Sequence, residues 1–309
     1  MSDPGPPFVG EWTRRLADAA GFVRRRAAGE YEVDPESGFD PELNRAVLMP
    51  VARALYRGWF RVQMRGLEHV PRDGPALVVA NHSGVLPIDA IMLQVGILDE
   101  HPAQRSLRLL SADLVYSLPL VGRLARVSGH VPANPAEGER LLTAGRLVGV
   151  FPEGYKGIGK PFRDRYRLQR FGRGGFARLA LRTGAPMIPC AIVGAEEIYP
   201  MVADWPEAAA RLKLPYFPIT PLFPWLGPFG AIPLPSNWMI EFCDPVRTDG
   251  FTPDQCEDDG VIAELAGKVK DTIASKIDEL LSERGPAFGE RGPAFGERGP
   301  AFGDGHVAD

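Results

Sequence analysis

Pro75-Ala76-Leu77-Val78-Val79-Ala80-Asn81-His82-Ser83-Gly84-Val85-Leu86-Pro87-Ile88-Asp89 is the stretch on which the fold turns. Its first six residues are apolar with a β-branched centre and follow the turn residues Asp73-Gly74, a pattern that suits a strand buried on both faces of a sheet. His82 then falls at the carboxyl end of that strand, where open α/β sheets form the crevice that takes ligands. Residues 90–95 read as a helix, which puts Asp89 at a helix start and within reach of an imidazole. A histidine steadied by a carboxylate is what general-base removal of an alcohol proton requires. The same residues equally suit a turn histidine beside a helix-capping aspartate.

Working outward, strands are expected at 61–66, 107–110, 147–151, 186–193 and 238–242. Between them lie helical patterns at 114–125, broken or kinked at Pro119, at 135–142 behind the cap Asn134, and from Gly174 to 181, with a last amphipathic helix at 261–281. Strands alternating with helices give an α/β fold: a single domain with a mostly parallel mixed sheet covered by helices. Residues 1–41 form a basic N-terminal segment, amphipathic over 11–28, and 42–282 the main domain. Over 42–64, Val47, Leu48, Val51, Leu55, Trp59 and Val62 recur at three- and four-residue steps opposite Arg53, Arg57 and Arg61, which suits a helix lying in a membrane interface or packed on the protein's own core. Residues 214–235 carry seven prolines among aromatic and aliphatic residues, which excludes a helix or a central strand. They either cover the core or offer an apolar loop to lipid. The tail, 283–309, repeats Glu283-Arg284-Gly285-Pro286-Ala287-Phe288-Gly289 twice more, at 290–296 and 297–303, and its Gly and Pro forbid a coiled coil, so it reads as disordered.

A net charge of −4 over 309 residues gives no basic excess for nucleic acid. The charge is uneven, however: from Phe151 to Arg182 nine basic residues face two acidic ones, and acids dominate after Glu241. Cys190, Cys243 and Cys256 form no Cys-x-x-Cys pair, so neither a disulfide framework nor a zinc site is expected, and the compartment is reducing. The first residues lack the charged head and apolar core of a secretory signal, and no proline-free apolar run is long enough to span a bilayer.

The second candidate site segment is Phe151-Pro152-Glu153-Gly154-Tyr155-Lys156-Gly157-Ile158-Gly159-Lys160-Pro161, too rich in glycine and charge for a core. Gly154 to Lys160 nearly spells a P-loop, but Pro161 stands where a Ser or Thr hydroxyl must hold Mg²⁺. Gly172-Arg173-Gly174-Gly175-Phe176-Ala177 fits a loose dinucleotide pattern but follows an arginine-rich loop in place of a strand. No G-x-S-x-G elbow is present, and His82, Asp89 and Glu153 have no metal-ligand spacing.

With Asn81-His82, Asp89, Phe151-Pro152-Glu153-Gly154 and the apolar run Met187-Ile188-Pro189-Cys190-Ala191-Ile192 in this order, residues 55–250 resemble the glycerolipid or lysophospholipid acyltransferase superfamily (1-acylglycerol-phosphate acyltransferase-like). The order of segments looks closest to the branch related to mono- and diacylglycerol acyltransferases. The resemblance implies a glycerol-phosphate-acyltransferase-like fold and an O-acyltransferase in which His82 is general base on an acceptor hydroxyl and Asp89 orients the imidazole. The hydroxyl attacks the thioester of acyl-CoA or acyl carrier protein, with no acyl-enzyme and no cofactor beyond that co-substrate. Glu153 is then expected to bind acceptor hydroxyls and Gly154 to allow close backbone approach. Lys156, Lys160 and Arg163 are candidates for donor phosphates by charge and place; the outer arginines of the same run equally suit a solvated basic face or contact with anionic lipid.

Two features depart from the family pattern. Six residues separate His82 from Asp89 where four are usual, so the loop must bulge for the pair to meet. Residues 129–134, Gly-His-Val-Pro-Ala-Asn, carry no arginine for an acceptor phosphate, which favours a neutral acylglycerol unless Arg123, Arg126 or Arg140 substitutes. The expectation is a peripheral enzyme on the cytoplasmic face of a membrane. The rivals are an acyltransferase for a 1-acylglycerol-3-phosphate, a non-catalytic acyl-CoA or lipid-binding protein, and a thioester hydrolase.

Overall fold

The computed structural model describes residues 20–117 and 119–288. Nine strands form in them: β1 (Gln63–Arg65), β2 (Ala76–Ala80), β3 (Leu107–Ser111), β4 (His130–Pro132), β5 (Leu147–Val150), β6 (Met187–Val193), β7 (Ala203–Asp204), β8 (Pro218–Ile219) and β9 (Met239–Phe242). Seven make one sheet in the order β1-β9-β6-β2-β5-β3-β4. The five strands β6, β2, β5, β3 and β4 are parallel. β9 is antiparallel to β6 and parallel to β1, so the edge formed by β1 and β9 runs the other way. The expected α/β class and mostly parallel mixed sheet are what the chain adopts.

Every residue of β2 and β6 is buried, because layers cover both faces. The alternation of a strand sorts the apolar residues between them. Ala76, Val78 and Ala80, with Ile188, Cys190 and Ile192, pack under α1 (Ile88–Glu100) and against Phe60 and Trp238. Leu77 and Val79, with Met187, Ala191 and Val193, pack on the opposite side against α2 (Pro135–Thr143), α3 (Gly175–Thr183) and α4 (Asp259–Glu283). α4 buries Ile262, Leu265, Val269, Ile273, Ile277 and Leu280 at three- and four-residue steps. Each such side chain contributes about 1.5–3 kcal/mol of burial. Asn134 caps α2 by accepting from the Glu137 amide, and the pattern at 114–125 is split into helices Asp113–Ser117 and Pro119–Val127.

The helix expected at 42–64 differs in length and in its buried side. It runs over 41–59 and contains two π segments, Asn44–Leu48 and Leu55–Trp59. Each π turn takes an extra residue and rotates the apolar stripe, so a simple 3.6-residue period loses its phase. The buried line is therefore Asn44, Met49, Ala52 and Tyr56, while Val47, Val51 and Trp59 face outward. Before it, residues 20–28 are helical, and Arg26 reaches Asp40 at 2.5 Å. The part of the amphipathic pattern containing Trp12 and Leu16 lies outside the described residues.

The proline-rich segment covers part of the core and leaves apolar side chains exposed at its tip. Tyr199, beneath it, donates to the Ala231 carbonyl at 2.6 Å, and β8 pairs with β7. At its tip Trp225 and Phe229 are 72% and 71% exposed, beside exposed Leu226 and Ile232.

Candidate active site

Adjacent parallel strands β6, β2 and β5 end side by side, and the residues that leave them build one site. From β2 the main chain departs at Asn81, whose side-chain amide takes the place of a further residue in the sheet. It donates to the Ile192 carbonyl at 2.9 Å and accepts from the Ile192 amide at 2.7 Å. Asn81 is fully buried, so this satisfaction of the ladder is what lets the chain turn out and present His82.

The bulge that the long spacing requires is present. Gly84, at φ +79°, turns the loop, and Tyr216 holds it by donating to the Val85 carbonyl at 2.5 Å. Asp89, in the first turn of α1 and fully buried, meets His82 Nδ1 at 2.8 Å through Oδ2. The same oxygen accepts the Ser83 amide at 2.8 Å, and Oδ1 accepts the Ala90 amide at 2.8 Å. Nδ1–H thus donates to a carboxylate fixed by backbone on both oxygens, which leaves Nε2 as the nitrogen able to take a proton. The imidazole stacks on Phe151 with 4.4 Å between ring centroids, so its plane is set as well as its edge.

β5 delivers Phe151 and Glu153. Glu153 is buried, and it accepts the His82 amide at 2.9 Å and the Gln169 amide at 2.6 Å. With its side chain fully buried and each oxygen accepting a backbone amide, Glu153 braces the backbone carrying the imidazole and does not present the carboxylate expected for acceptor hydroxyls. Gly154 follows with φ +56° and open space where a side chain would project. Gly157 returns the loop beneath His82, where an added Cβ would lie 2.8 Å from both the His82 carbonyl oxygen and Glu153 Cβ.

The three basic candidates separate. Lys156 is exposed, and Arg163 has 84% of its side chain in solvent. Lys160 is turned inward: only 5% of its side chain is exposed, and its ammonium lies 2.9 Å from Glu196 and 3.8 Å from Glu153 while donating to the Arg167 carbonyl. A buried charge demands such partners, so Lys160 is not presented to a donor phosphate. Glu196 leaves β6 through Gly194, and burial pushes its carboxyl up to about 7, with Lys160 opposing the rise. Beside it is a cavity of about 10 Å³ between the Gly84-Val85 and Gly157-Ile158 loops. That is one water's worth of space and far too little for an acyl chain.

Glu196 and Glu197 are residues that the sequence reading missed. Next to each other after a glycine they resemble a surface pair, yet both are buried; the one signal was their place after an uninterrupted apolar strand. Of the outer arginines, Arg178 pairs with Glu257 and Asp259, and Arg182 with Glu257 and Glu139, so acids of the C-terminal third neutralise part of the basic run. Arg140 is engaged by Glu36 and Glu137.

Comparison with known proteins gives a consistent result. Residues 61–193 match the family model described as Acyltransferase. An uncharacterized protein of Mycobacterium tuberculosis is 54% identical over 273 residues, which cover 88% of this chain and 76% of that one. The DGAT1/2-independent enzyme synthesizing storage lipids of Bos taurus is 25% identical over 72% of this chain and 60% of its own length. The 1-acyl-sn-glycerol-3-phosphate acyltransferase BAT2 of Brassica napus is 27% identical over 46% of this chain and 40% of its own. Among solved structures, the 1-acyl-sn-glycerophosphate (LPA) acyltransferase PlsC from Thermotoga maritima shares the fold, with a TM-score of 0.51 at 19% identity over 87% of this chain and 97% of that one.

Proposed function

The chain belongs to the lysophospholipid acyltransferase family, and from that membership we propose that it moves a fatty acyl group from acyl-CoA or acyl carrier protein to a hydroxyl of a glycerolipid-type acceptor. The observation that carries the reading is the His82 Nδ1 to Asp89 Oδ2 bond at 2.8 Å, which leaves Nε2 to act. In the proposed reaction Nε2 takes the proton of the acceptor hydroxyl as its oxygen attacks the thioester carbonyl. The tetrahedral intermediate collapses, the carbon–sulfur bond breaks, and the thiolate recovers the proton from the imidazolium. Asp89 holds the tautomer and supports the transient positive charge, and Glu153 with Phe151 keeps the imidazole in place. Lys156 and Arg163 are the exposed cations assigned to the donor phosphates. We take residues 42–282 as the catalytic unit.

A neutral acceptor is favoured because Arg140 is already committed to Glu36 and Glu137. The alternative, a 1-acylglycerol-3-phosphate, is supported by what the Brassica and Thermotoga proteins are named for. Work at a membrane surface, which we place on the cytoplasmic side, is supported as to the surface alone by the apolar tip Trp225, Leu226, Phe229 and Ile232, which is joined to the outward Val47, Val51 and Trp59 where Trp59 Nε1 donates to the Pro233 carbonyl at 2.9 Å. Among the described residues no helix is long and apolar enough to cross a membrane.

The test is CoA release from palmitoyl-CoA, with lipid product analysis, across monoacylglycerol, diacylglycerol, lysophosphatidate and no acceptor, for the wild type and His82→Ala. Acceptor-dependent turnover lost in the variant is expected. Release without an acceptor makes the protein a hydrolase, and binding without release makes it a carrier.

A further inference from the structure

The first copy of the C-terminal heptad is not a loose end. Arg284 is 9% exposed and inserts its guanidinium into a pocket behind the site, where Nη1 and Nη2 donate to the two oxygens of Glu197 at 2.6 and 2.5 Å. Nη1 also reaches the Tyr166 hydroxyl and the Asn237 carbonyl, each at 3.3 Å. Gly285 then turns the chain at φ +72°. The Asn237 backbone amide donates to the Ala287 carbonyl at 2.9 Å, and its side-chain amide donates to the Pro286 carbonyl at 3.1 Å. Ser236 completes the pocket by donating to Glu197 at 3.0 Å.

What the pocket reads is an arginine, a glycine able to take positive φ, and the two carbonyls that follow. All of these recur unchanged at Arg291-Gly292-Pro293-Ala294 and at Arg298-Gly299-Pro300-Ala301, outside the described residues. We propose that the Glu197–Asn237 pocket is a receptor for the Arg-Gly-Pro-Ala heptad and that the strap has three registers, the second and third copies of this chain docking when the first is lost. A slip by one copy only adds a seven-residue loop after α4. Loop closure costs rise slowly with length, and a tethered copy stays at high effective concentration. The strap bears on the site because Tyr166 lies in the loop whose Gln169 amide holds Glu153.

The experiment compares thermal unfolding of the full-length wild type, Arg284→Ala, Arg291→Ala with Arg298→Ala, and the triple variant. Arg284→Ala is expected to lower Tm by less than half as much as the triple variant. The variant lacking only the two later arginines, which also controls for lost charge, should melt within a degree of the wild type. The triple variant should lose about 6 °C or more, since a buried carboxylate is left without its partner. An Arg284→Ala chain that folds while the triple variant does not supports the proposal equally. Equal losses in the two, failure of both to fold, or no loss in either overturns it.

Discussion

Replacing Asp89 by asparagine tests the site at its most constrained point. Asp89 presents acceptors to three N–H groups: Oδ2 to His82 Nδ1 and the Ser83 amide, Oδ1 to the Ala90 amide, all at 2.8 Å. Asparagine keeps the shape but supplies one acceptor and one donor. If its oxygen faces His82, its NH₂ opposes the Ala90 amide, and an unsatisfied buried donor costs about 1–3 kcal/mol of stability. If its NH₂ faces His82, the imidazole must accept at Nδ1 and carry its proton on Nε2, where the base is needed. That second arrangement also strands the Ser83 amide. Loss of the correct tautomer elsewhere lowers turnover by about 10⁴, equivalent to about 5 kcal/mol in the barrier. The expected result is a fall of about 10³–10⁴ in kcat with KM for donor and acceptor within about threefold, and no further loss when His82→Ala is added, because the two residues act as one unit. Acceptor-dependent CoA release under saturating donor measures it. A variant retaining a tenth or more of wild-type kcat refutes the assignment of Asp89 as the group that sets the tautomer.

Glu196→Gln should change how stability depends on pH. The folded carboxyl sits at about 7 against an ordinary 4.5 because of burial, so between those values the folded state holds a proton that the unfolded chain has lost, and stability falls as pH rises through the window, by up to ~3 kcal/mol. The variant lacks that slope; denaturant titrations showing the same difference between the two proteins at pH 5 and pH 8 would rule the account out. At the apolar tip, Trp225→Ser with Phe229→Ser should weaken partitioning onto anionic liposomes at least tenfold while leaving Tm within about 2 °C, since both side chains stand more than two-thirds in solvent. Unchanged co-sedimentation would mean that this loop is not the lipid contact.

Much of the fold was legible because the central strands are read by burial alone. β2 and β6 are continuous apolar runs, and a strand covered on both faces has no other pattern to show. His82 was legible from its place after β2, and Asp89 from its place at the start of α1, but that they touch depends on the bulge at Gly84, which spacing alone argues against. What escaped did so for physical reasons. Lys160 lies in a run of basic residues that looks solvated, and only the convergence of β5 and β6 shows two buried carboxylates waiting for its charge. Arg284 belongs to a segment of disordered composition, and its burial answers a single glutamate far away in the chain. Which side of the helix over 41–59 packs on the core is not legible from a fixed period, because each π turn shifts its phase.

The reversed edge of the sheet has a consequence for how the protein is made. β1 finds no partner until β9 exists, since Gln63 pairs with Met239 and Arg65 with Glu241. At ribosomal speeds of about 5–20 residues per second, the N-terminal strand waits roughly 10–35 s for the residue beside which it will lie. During that interval β2, β5, β3 and β4, which pair among themselves within a shorter length of chain, can condense into a half-sheet with one side open. Until β6 is made and covers it, the strand that leads into His82 would be an open border of such a half-sheet, the kind of edge that a chaperone or a neighbouring nascent copy can pair with.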